Sequence, residues 1–106
     1  MTEHIQVQTT VDSVAAAEAI ARGLVEGRLA ACVQVMGPIR STYWWHDAIE
    51  AADEWLCVIK TRRDRYEALE AAIRRLHPYE VPQIIALPIV AGSAAYLAWL
   101  DASMSS

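Results

Sequence analysis

Glycine, cysteine and long apolar runs are scarce in this sequence, and each scarcity excludes a class of function. The four glycines, at positions 23, 27, 37 and 92, are too scattered to cradle a phosphate, and neither GxGxxG nor a Walker-type loop occurs. The two cysteines, Cys32 and Cys57, form no CxxC pair. No HExxH marks a closed zinc site, and no GxSxG supports a catalytic triad. No stretch approaches the roughly 20 apolar residues that span a bilayer. The first residues, Met1-Thr2-Glu3-His4, lack the positive start and apolar run of a signal peptide. Basic residues number 9 against 13 acidic ones, a net charge of −4 that argues against a nucleic-acid partner. These features predict neither membrane nor nucleic-acid partners, and a reduced, cytoplasmic setting in which both thiols are small core residues.

What is present suits one domain over residues 1–106, since a chain this short has no room for a second core. Ile5, Val7 and Thr9 alternate with His4, Gln6 and Gln8, the period of a half-buried strand. Asp12 or Ser13 can cap a following helix with an apolar stripe of Val14, Ala17, Ile20, Ala21, Leu24 and Val25. Glu18 and Arg22 are spaced for an i,i+4 pair, and Gly27 is a natural stop. Ala30 to Met36 predicts a second strand, interrupted at Gly37-Pro38 by a bulge and resumed through Ile39, Ser41 and Tyr43. Glu54 to Thr61 predicts a third, with the turn between the two near His46-Asp47-Ala48.

Asp64 and Glu67 have the spacing of a capping box. The helix they open carries Tyr66, Leu69, Ile73 and Leu76 on one face and ends at His77-Pro78, because the residue before proline is pushed out of the α region. Gln83 to Val90 predicts a strand that Pro88 confines to an edge or bulge. Ser93 can cap a short last helix bearing Tyr96, Leu97 and Leu100, with Ser103 to Ser106 as a loose tail. The order β-α-β-β-α-β plus a small helix is an α+β, ferredoxin-like arrangement with an antiparallel sheet.

The hairpin raises a problem of length. Arms of about 15 residues reach about 50 Å, whereas a compact chain of this size is only about 33 Å across. The tip gathers Tyr43, Trp44, Trp45, Ile49 and Trp55. Left projecting, such a tip is an aggregation hazard. Burial against another subunit removes the hazard; bulges that fold the hairpin back on its own sheet are the alternative.

Ser, His and Asp do not gather as nucleophile, base and orienting group, and the junction Thr9-Thr10-Val11-Asp12 offers no glycine-rich anion loop. An enzyme is therefore not expected, nor an organic cofactor. The remaining polar concentration is His77, Tyr79 and Glu80. His77 and Glu80 carry donors that suit copper or zinc, near a helix end that favours a cation. The alternative is structural: His77 caps the last carbonyls, Tyr79 packs, and Glu80 pairs with an arginine.

Several segments together resemble one family. Residues 21–33, ARGLVEGRLAACV, look like the helix-to-strand signature of the CutA, or divalent-cation tolerance, proteins. Tyr43-Trp44-Trp45 with Ile49-Glu50 and Ile59-Lys60-Thr61 resembles that family's hairpin. His77-Pro78-Tyr79-Glu80-Val81-Pro82 resembles its best-known motif, and Tyr96-Leu97-Ala98-Trp99-Leu100 its C-terminal helix. The resemblance implies a PII-like homotrimer whose long bent strands complete sheets between neighbours, with Tyr43, Trp44, Trp45 and Trp55 at the interface. It also implies tolerance of divalent metals, copper above all, with His77 and Glu80 as candidate ligands. Its rival implication is a small-ligand cleft between subunits, near Lys60, Arg62, Arg63, Tyr79 and Glu80; a trimeric scaffold for a protein partner is the third reading. The chain departs from the pattern at Thr9, where copper-binding members have cysteine, and at Leu76, where they have histidine. Gln83 replaces a glutamate, and Asp47 a hairpin glycine.

Overall fold

Alternation and capping build the elements from the first strand onward. A computed structural model describes residues 3–105; Met1 and Thr2, part of the start read as lacking a signal peptide, and Ser106, the end of the expected tail, lie outside the described residues. Strand β1 (His4–Val11) buries Ile5, Val7 and Thr9, as their period of two requires. Ser13 caps α1 (Val14–Glu26), its hydroxyl accepting from the Ala16 N–H at 3.1 Å. Helix α1 buries Ala17, Ile20 and Leu24, whereas Val14 and Val25, at the ends of the expected stripe, stay exposed. Arg22 pairs with Glu26, not with Glu18. Gly27 follows the helix with φ −78°, and the left-handed residue is Arg28, at φ 58°.

Strands β2 (Cys32–Trp45) and β3 (Ala48–Arg62) form the long hairpin. Its register shifts between Met36 and Ile39, so Gly37-Pro38 is the expected bulge. Trp45 pairs with Ala48, leaving His46 and Asp47 as a two-residue turn with φ 48° and 63°. That is the twist a tight hairpin favours, and aspartate tolerates it better than most residues. The described chain measures 45 × 25 × 23 Å, and its radius of gyration of 14.3 Å exceeds the about 13 Å of a compact chain of this size.

Arg62 overrides the expected capping box. Its guanidinium binds both Asp64 oxygens, at 3.1 and 2.9 Å, so Asp64 sits in a 3-10 turn (Arg63–Arg65) and α2 (Tyr66–Leu76) starts without a side-chain cap. Leu69, Ala72 and Ile73 enter the core, and His77 ends the helix in extended conformation, ψ 134°. Strand β4 (Ile85–Pro88) is shorter than expected and pairs with β1 alone. Pro88 therefore stands on an edge, where its missing N–H is tolerated. The sheet runs β2-β3-β1-β4, antiparallel throughout, which is the ferredoxin-like order.

Ser103 and Met104 of the expected loose tail instead belong to the last turn of α3 (Ala94–Met104), a helix capped at its start by Ser93. Met104 is 1% exposed. Arg28 donates to the Ser103 carbonyl at 2.7 Å and Arg65 to the Met104 carbonyl at 3.4 Å, so two cations satisfy the helix's orphan acceptors.

Candidate functional site

The loop after α2 is tied to the sheet by two hydrogen bonds and braced by a third within the loop. His77, 7% exposed, places Nε2 2.7 Å from the carbonyl of Thr10, near the end of β1. The Tyr79 N–H donates back to His77 Nδ1 at 3.1 Å, and the two rings meet edge to face at 4.7 Å. The Tyr79 phenol donates to Glu54 Oε2 at 2.7 Å, and Glu54 is itself only 7% exposed. Burial, and next the hydrogen bond to the Glu54 carboxylate, push the Tyr79 phenol well above its ordinary range. Glu80, one residue on, faces solvent.

Nothing local in the sequence marks Glu54 or Thr10 as parts of this site. The one available signal is Tyr79 itself, because a phenol packed against protein needs a partner for its hydroxyl. A backbone bulge lies beside Glu54: the register passes from Met36–Leu56 to Ile39–Glu54, so Gly37-Pro38 stands opposite Trp55, the next residue.

The expected cleft residues fall into two groups within one subunit. Tyr79 and Glu80 lie at the Glu54 end of β3, while Arg62 is eight residues along the same strand, about 26 Å away at the strand rise. Lys60 donates to Gln34 Oε1 at 2.7 Å. Arg62 is held by Asp64 and by Asp101, the latter also bonded to His4 at 2.9 Å. Arg62, Arg65 and the two aspartates line a shallow pocket whose charges largely satisfy one another. Arg63 lies in the 3-10 turn and is exposed.

The hairpin aromatics divide likewise. Tyr43, Trp44 and Trp45 are exposed, Trp44 to 71%, as is Ile49. Trp55 shares the core-facing parity of Cys57 and Ile59 and packs against the core beside Gly37. Cys57 is buried, and burial pushes its thiol up to about 11, which makes it unreactive.

The donor set for copper or zinc is thin. Both His77 nitrogens are engaged, Glu80 is the only other expected ligand, and no three His, Cys, Asp or Glu side chains gather as a metal site among the described residues. Within one subunit these residues do not fit a bound copper or zinc ion.

A profile described as the CutA1 divalent ion tolerance protein matches residues 5–103. The chain belongs to the CutA1 divalent ion tolerance family. It is 39% identical over 98 residues to the divalent-cation tolerance protein CutA of Archaeoglobus fulgidus, covering 92% of this chain and 95% of that protein. It is 49% identical over 84 residues to the CutA homolog of Xenopus laevis, covering 79% of this chain but spanning only 56% of that longer protein. The crystal structure of CutA from Xylella fastidiosa superposes with a TM-score of 0.95 at 34% identity, covering 98% of this chain and all of that one. The ferredoxin-like fold is therefore that of the CutA structures.

Proposed function

We propose that this chain is the subunit of a homotrimer that serves tolerance of divalent cations, with no catalytic role. Family membership over residues 5–103 is the observation that carries the tolerance role. The trimer is supported by what one subunit leaves uncovered. Tyr43, Trp44, Trp45 and Ile49 at the hairpin tip, Ile85 and Leu87 on the edge strand, and Tyr96 and Trp99 on α3 are all exposed. Apolar surface of that extent on a small chain marks an interface. A hairpin that outreaches its own core, and a four-residue edge strand with one free side, are complementary features for strand addition by a second copy.

Direct contact with copper or zinc belongs, in this proposal, to a site that more than one subunit completes, because of the two expected ligands only Glu80 is unengaged within one subunit. The two free thiols, one of them inert by burial, support a cytoplasmic setting. The decisive test is growth under copper and zinc challenge of a bacterial strain lacking its own family member and complemented with this chain. Restored growth is expected, and growth no better than the empty vector contradicts the proposal.

A second reading, a small-ligand site in a subunit cleft, rests on the family resemblance and requires a neighbour, because Tyr79 and Glu80 lie far from Arg62 and Arg63 within one subunit. Only a neighbouring subunit can bring such distant groups to one ligand. Thermal shifts against nucleotides and small anions test it, and a uniform absence of stabilisation removes it.

A further inference from the structure

The resemblance to copper-binding members brings a metal to His77, and the two ring nitrogens decide whether it can stay. A backbone carbonyl only accepts and a backbone N–H only donates. Nε2, 2.7 Å from the Thr10 carbonyl, therefore carries the proton, and Nδ1, 3.1 Å from the Tyr79 N–H, presents its lone pair to that group. An imidazole binds metal through a lone pair. Metal-bound histidines commonly donate their far nitrogen to a carbonyl, as Nε2 does here. Nδ1 is thus the one nitrogen available in principle, yet it is aimed at Tyr79. Ligation there would turn the Tyr79 N–H away without a partner and break the path to Glu54.

A second observation points the same way. Glu54 is a nearly buried carboxylate on a strand, and its phenol partner comes from the loop. Burying such a group is costly unless it is hydrogen-bonded, so its place here is tied to holding Tyr79. The bulge at Gly37-Pro38 lies opposite Trp55, the next residue, and bulges often re-aim a neighbouring side chain. A Cβ on Gly37 would lie 3.0 Å from the Glu54 carbonyl and 2.6 Å from the Trp55 ring, so the close approach needs glycine.

We propose that His77 is not a metal ligand in this chain but the pivot of a clamp, Thr10–His77–Tyr79–Glu54, that holds the loop of residues 77–84 to the sheet. Glu54 and Tyr79 are positioning residues: Glu54 holds the loop through the Tyr79 phenol, and the Tyr79 N–H holds His77 Nδ1. The proposal concerns His77 alone and stands whether or not the trimer binds metal at another site.

The test is long-range ¹H–¹⁵N correlation NMR of the imidazole nitrogens in the intact protein, titrated with Zn²⁺ alone. The expected result is a neutral His77 with the proton on Nε2, and no Zn²⁺-dependent change in either His77 nitrogen up to several equivalents. A His77 Nδ1 shift that saturates with stoichiometric Zn²⁺ overturns the proposal. Growth under metal challenge reports on the tolerance role separately. Limited proteolysis of variants supplies the positional readout: Glu54→Ala should speed cleavage within residues 78–84 by about tenfold, through local opening. Glu54→Gln, which keeps the acceptor, should cleave near the wild-type rate. Equal cleavage of wild type and Glu54→Ala, with the His77 tautomer unchanged, overturns the clamp.

Discussion

Tyr79 donates its phenol to Glu54 at 2.7 Å, joining the loop after α2 to a nearly buried carboxylate on β3, 25 residues earlier. Tyr79→Phe leaves that carboxylate without its partner. Removing one partner of a buried hydrogen bond costs about 1–3 kcal/mol. Urea denaturation should show a loss in that range with an unchanged slope. A loss below about 0.5 kcal/mol would mean that water already serves Glu54.

Thr9 offers the opposite sign. Its hydroxyl is fully buried and has no hydrogen-bond partner among the described residues. Thr9→Val keeps the shape, removes the unpaired group and should stabilise by about 1 kcal/mol. Thermal melting checks this, and a destabilised variant would show that the hydroxyl is partnered in solution.

Gly37→Ala should destabilise by about 1–3 kcal/mol, the usual cost of forcing extra volume into a packed site. The added carbon meets the Trp55 ring at 2.6 Å and the Glu54 carbonyl at 3.0 Å, and the backbone contact cannot swing away. An unchanged melting temperature would contradict the close approach.

Acid should loosen the end of the molecule where α3 meets the sheet. Asp64 is held below the usual carboxylate range chiefly by the hydrogen bonds from Arg62, and Asp101 chiefly by the one from His4 and then by Arg62. A carboxylate depressed in the folded state contributes stability that is full above its unfolded value, about 3.9, and is lost as pH falls through the folded one. Asp101→Asn should therefore melt below wild type at neutral pH, with the gap closing as pH drops below about 4. The groups are exposed, so the gap should be small. A gap constant across that range would contradict the assignment.

Much of the frame is legible in the residues because it is set locally. The period of two at Ile5, Val7 and Thr9, the stop at His77-Pro78 and the break at Gly37-Pro38 are each decided within a few residues. The errors come from arginines, one a near neighbour in sequence and two far away. Arg62 takes Asp64 away from its capping position, and Arg28 and Arg65, both distant in sequence, extend α3 through Ser103 and Met104. Glu54 escapes notice for the same reason, since its partner is 25 residues away. The motif identifies the family; the hydrogen bonds of its histidine are visible only in three dimensions.

The hairpin tip carries the proposed assembly. Trp44, 71% exposed in one subunit, should be buried in the trimer. Trp44→Ser should weaken association by 2 kcal/mol or more, about thirtyfold, if it anchors the contact as interfacial tryptophans do. Dilution series followed by sedimentation velocity check this.

The most direct test of the proposed assembly is the mass of the wild-type protein in solution. Multi-angle light scattering at micromolar concentration should give three chain masses in one symmetric peak, with no monomer. A single chain mass at that concentration would contradict the trimer, the hairpin's role and the subunit-completed site together.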